Sequence, residues 1–108
     1  MAHQISEADW KLFRQLRAIA LERFCQRVLA EVARLSCDTG TSNHARYQAV
    51  FKLMESRDQE LADTFDDVRR STAWRQLASI QSLELLTEEE FARFSPETRG
   101  VVTVFLTA

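Results

Sequence analysis

Three carboxylates, Glu60, Asp63 and Asp67, follow one another at i, i+3 and i+7, a spacing that lines them along one face of a helix. Carboxylates so placed can hold Mg²⁺, a hard cation suited to phosphate substrates. The competing reading is a solvated acidic face with no metal and no cofactor. Other chemistry-bearing residues are sparse. The histidines are His3, near the start of the chain, and His44, near a helix start; a lone imidazole in such places is ordinarily solvated. There is no CxxC, no HExxH, no His/Cys cluster and no Gly-x-Ser-x-Gly elbow. Gly40 and Gly100 are the two glycines, so no phosphate-cradling loop can be written. The pattern designates no catalytic residue.

The pair Glu60-x-x-Asp63 resembles one half of the motif of the all-α nucleotide pyrophosphohydrolases. The resemblance implies a helical oligomer that cleaves nucleotide triphosphates with Mg²⁺ bound on the acidic face of the second helix. Those enzymes carry a further Glu-x-x-Glu on a neighbouring helix. Here Glu31 is followed three residues later by Arg34, so that half is missing.

The 108 residues make one helical domain over 1–108, with 45% apolar side chains and a formal charge of -2. With two Gly and one Pro, a many-turned β-sandwich or barrel is excluded. The near-neutral balance gives no general attraction for polyanions, although charge is uneven. Residues 1–57 hold nine basic and six acidic side chains, residues 58–108 five and ten. Arg23, Arg27 and Arg34 line one side of the first helix, and Arg69, Arg70 and Arg75 form a second basic spot. A nucleic-acid surface would use such groups, but Glu31 interrupts the first and no helix-turn-helix or stacking pattern accompanies them.

Helix signals organise the chain. Ser6 to Asp9 reads as a capping box, with Ile5 and Trp10 as its staple, opening a helix over about 7–37. Gly40 serves as a left-handed stop. A second helix covers about 43–68, with Tyr47, Met54, Leu61 and Val68 seven apart and Val50, Phe51 and Phe65 beside them, the spacing of a helix–helix seam. Asp58 falls close to that stripe. A third helix runs over about 72–85, and Thr87 with Glu90 forms a second capping box before a short helix at 88–93. Ser95-Pro96 restarts the chain. Residues 101–106 are β-branched but have no strand to pair with, so they read as a terminal helix. The fold is therefore all-α: a long antiparallel helical hairpin packed by three shorter C-terminal helices, assembling into a dimeric bundle.

The dimer is expected from the first helix. At about 100° per residue, Leu12, Phe13, Leu16, Ile19 and Ala20 point one way. Leu21, Phe24, Cys25, Val28, Val32 and Leu35 point about 140° away. A heptad drifts only about 20° per repeat, so the two halves are expected to bury against different partners. The expected interaction surface is Leu21, Phe24, Val28, Val32 and Leu35, with Trp74, Phe91 and Phe105 from the C-terminal part. Cys25 and Cys37, about 18 Å apart on one helix, cannot bridge within the chain and read as free thiols of a reducing compartment. No segment reaches the ~18 apolar residues of a membrane span, and no signal-peptide pattern opens the chain. The expectation is a cytoplasmic, non-enzymatic protein-interaction or self-association module, without membrane or nucleic-acid partner.

Overall fold

In a computed structural model, residues 4–107 are described. They form five α-helices: α1 Glu7–Ser36, α2 Asn43–Phe65, α3 Ala73–Ser82, α4 Glu88–Ala92 and α5 Pro96–Thr107, with a 3-10 turn at Arg70–Thr72. Two long helices pack against shorter ones, and no described residue lies in a strand. The β-branched C-terminal run is helical: Ser95 Oγ accepts from the Thr98 N–H, and Val102 is buried. No described helix is long and apolar enough to cross a membrane.

The helix starts follow the local signals. Side chains of Ser6, Ser42 and Thr87 each accept from the amide three residues on, satisfying one of the orphan donors of a first turn. At Thr87 the box closes, because Glu90 reaches back to the Thr87 N–H. At Ser6 it does not. The Asp9 carboxylate turns inward and accepts from the Ser95 N–H, the Ser95 hydroxyl and the Thr98 hydroxyl, at 3.1, 2.6 and 2.6 Å. The third residue of α1 thus caps the start of the last helix, 86 residues away.

Helix ends follow distant contacts instead. α2 stops at Phe65, three residues before the expected limit, because Asp66 leaves the helix and Asp67 takes a left-handed φ of 61°. The Gln76 amide holds this turn by donating to the Asp66 and Asp67 carbonyls. α3 stops at Ser82, also short of expectation, with Glu84 left-handed at φ 55°. Gly40, expected as a left-handed stop, does not have a positive φ. Its N–H donates to Asp38 Oδ1 at 3.0 Å, a side-chain turn that closes the hairpin.

The face switch expected in α1 resolves into a single oblique ridge. Its buried residues are Asp9, Phe13, Leu16, Ala20, Phe24 and Val28, spaced almost wholly by four. Each step of four overshoots a full turn by about 40°, so one i±4 ridge travels across the helix. Ile19, expected inside, is exposed. The expected change of neighbour does occur. The N-terminal half is tied to the C-terminal part by Asp9 and by Arg70 Nε donating to the Ile5 carbonyl. The C-terminal half runs beside α2, where Arg57 holds Glu31 through two bonds of 3.1 and 3.0 Å and Arg46 donates to the Ser36 carbonyl. At the junction Phe24 meets Phe65 edge-on at 5.9 Å.

Asp9 is 4% exposed. Burial pushes its carboxyl up, but the bonds from Ser95 and Thr98 outweigh that and hold it below the ordinary 3.8. Its stabilisation is therefore complete above that pH and is lost as pH falls through the lower folded value. We expect Asp9→Ala to cost about 2–3 kcal/mol at neutral pH, the range for hydrogen bonds to a buried charge, read as a lower urea midpoint at unchanged slope. The variant's loss of stability on acidification should also be shallower than that of the native chain.

Candidate interaction surface

The acidic triad does not assemble. With α2 ending at Phe65, Asp67 lies beyond the helix, paired with Arg69 at 2.8 Å. Glu60 faces Arg57 at 3.4 Å, and Asp63 accepts from Gln59 at 2.9 Å. The i+7 relation that put three carboxylates on one helical face is broken by the turn. Among the described residues no group of three His, Cys, Asp or Glu is placed to hold a metal ion. Glu31, where the pyrophosphohydrolase-like motif would need its second half, is taken by Arg57, whose guanidinium holds the carboxyl below the ordinary 4.5. His44 is exposed at the start of α2, and His3 lies outside the described residues.

Most of the first basic row is drawn into the fold, while Arg69 and Arg75 of the second spot are exposed. Arg27 donates to the Leu83 and Glu84 carbonyls at 2.6 and 2.5 Å, and Arg23 to the Leu85 carbonyl at 2.8 Å. These carbonyls belong to the C-cap of α3 and the turn that follows it, at the end of a helix that favours cations. Arg23 also forks onto Glu90 at 2.6 and 2.9 Å, which docks α4 against α1. Arg17 donates to the Phe65 carbonyl and lies over its ring. Only Arg34 of the first predicted row remains outward and unengaged among the described residues.

The expected interaction residues divide. Phe24 and Val28 are buried core. Leu21, Val32, Leu35, Trp74 and Phe91 are half-buried, and Trp74 packs edge-on against Phe105 at 5.4 Å between α3 and α5. Phe105 retains an exposed flank beside Val104 and Leu106.

The heptad row of α2 corrects the sequence reading more sharply. Only its later part serves the seam: Leu61 packs on the core and the adjoining Phe65 meets Phe24 of α1. Residues Leu53, Arg57 and Thr64 turn toward the rest of the chain, while Tyr47, Phe51, Met54 and Val68 are exposed. Tyr47 is 70% exposed, Phe51 56% and Met54 44%. On the same side α1 presents Leu29, 65% exposed, and half-buried Cys25. Between them runs a groove of about 300 Å³ lined by Cys25, Leu29, Met54, Asp58 and Leu61. On the opposite side the Arg57–Glu31 pair and Leu83 line a smaller cavity of about 170 Å³. Sequence periodicity found the row but could not show which way it faced.

The Arg23 fork and the Thr87 N–H draw Glu90 down from 4.5 to about 2. Its contribution is fully present above pH 4.5 and fades as pH falls toward 2. Solvent reaches both partners, with side chains 34% and 19% exposed, so the shift is discounted for screening. Glu90→Gln should lower stability by about 1–2 kcal/mol at neutral pH and flatten the acid limb between those values, as followed by circular dichroism. Comparison with protein-family models, curated proteins and solved structures finds no match for this chain.

Proposed function

We propose that this protein is a non-enzymatic self-association module, forming a homodimer through the open side of the α1–α2 hairpin. The observation that carries the reading is the contiguous apolar face of Leu29, Tyr47, Phe51 and Met54. These side chains alone leave on the order of 500 Å² of apolar surface in water, already near the largest patch of an ordinary monomer. With the half-buried Cys25, Val32, Val50 and Leu61 around them, the face approaches the ~800 Å² per partner of a stable interface. Two-fold pairing is the expected symmetry, because one patch then covers its own copy.

The geometry supports neither other class. The carboxylates of the enzyme reading are separated and engaged. Of the six arginines of the nucleic-acid reading, Arg23, Arg27 and Arg70 donate to backbone carbonyls and Arg69 pairs with Asp67.

Light scattering should return twice the 12.5 kDa chain mass at micromolar concentrations. Phe51→Glu, on an exposed position, should return the single-chain mass with unchanged helical circular dichroism. A native chain that stays monomeric throughout that range overturns the proposal.

A further inference from the structure

The exposed row on α2 also carries the register of its partner. Tyr47, Phe51, Met54, Asp58 and Leu61 follow at steps of four, three, four and three residues. This is the spacing by which one helix lies lengthwise on another, each side chain entering a hole of the facing helix. The same chain leaves Tyr47, Phe51, Met54 and Asp58 exposed, while Leu61 at the end of the row packs on the core and α1 is met through Arg57. The occupant that fits is therefore a helix, and a second copy supplies one with the same row.

Asp58 sets the direction. Its neighbours Arg57 and Gln59 bond to Glu31, Glu60 and Asp63, and Asp58 itself makes no hydrogen bond among the described residues. In a parallel pair, Asp58 would face Asp58 of the second copy across an apolar seam, two like charges out of water. In an antiparallel pair the conflict disappears. The midpoint between positions 47 and 58 is also the midpoint between 51 and 54. A two-fold axis there, between residues 52 and 53, sets Phe51 against Met54 and Tyr47 against Asp58 in both directions at once. Tyr47 then lies at the level of the groove lined by Cys25, Leu29, Met54, Asp58 and Leu61, ring against the apolar walls and hydroxyl toward the carboxylate at the lip. A tyrosine suits this position, with an apolar body and a polar tip.

We infer that two copies pair antiparallel through α2, with Tyr47 of each seated in the α1–α2 groove of the other and donating a hydrogen bond to its Asp58. The inference rests on the self-association proposed above and adds its orientation.

A charge exchange across the seam tests it, with dissociation constants from analytical ultracentrifugation. Tyr47→Asp places a second carboxylate opposite Asp58 and should weaken the dimer at least about tenfold. Adding Asp58→Lys to the same chain should restore affinity to within about threefold of the native value at low salt, and the restored dimer should weaken with added salt more steeply than the native one. Positions 47 and 58 are about 16 Å apart along one helix, so rescue has to come from the second copy. Both sites are exposed, and helical circular dichroism checks that each variant folds. A native dimer whose double variant is no tighter than Tyr47→Asp alone overturns the register and leaves self-association standing. A native monomer overturns both, and binding of the row to some other helical protein would then be the remaining occupant.

Discussion

Thirty residues of unbroken helix extend about 45 Å, and the ridge of core residues along α1 winds round them instead of running straight. No single straight helix can follow such a ridge for its whole length. α2 covers one end, the C-terminal helices cover the other, and Phe24 against Phe65 marks where responsibility passes between them. Burial of Phe13, Leu16, Phe24 and Val28 stabilises the assembly by about 1.5–3 kcal/mol for each large side chain. It does so only if both sets of neighbours are held in place, and holding them is the task of the polar contacts.

Those contacts share one chemical theme. Helix ends leave carbonyls and amides without partners, and here long-range side chains satisfy them. Arg17, Arg23 and Arg27, all on α1, donate to carbonyls of Phe65, Leu85, and Leu83 with Glu84, and Arg70 donates to that of Ile5 just ahead of α1. Asp9 does the converse at the start of α5, accepting from its first residues. A guanidinium suits the work because its planar fork reaches two acceptors at once and stays charged. Twelve of the fourteen basic residues are arginine, and several of those that looked like a polyanion-binding row are instead the pins of the C-terminal helices.

The same division of labour explains where apolar surface is left over. The chain after α2 is short, and it packs on one side of the hairpin, where Leu83 comes beside Arg27 and the Arg57–Glu31 pair. On the other side Leu29, Tyr47, Phe51 and Met54 stay exposed. An apolar row at helix-pairing intervals remains there, with one charged residue, Asp58, among large hydrophobic ones. Solubility alone would favour polar residues at Tyr47 and Phe51.

What the linear order of residues determined was every feature with a local cause. The capping serines and threonine set the helix starts at Glu7, Asn43 and Glu88, because the bonds involved span three residues. The scarcity of glycine and proline made the fold helical, and the lack of a strand partner made residues 101–106 helical despite their branching. Tertiary structure alone decided the helix ends, since Gln76 stops α2 and accompanies the break-up of the Glu60, Asp63 and Asp67 row, while Arg27 holds the end of α3. It alone decided which side of α2 faces inward, and that the two apolar clusters of α1 are ends of one ridge. Periodicity records the angle of a side chain around its own axis; only packing supplies the direction in which that axis meets another.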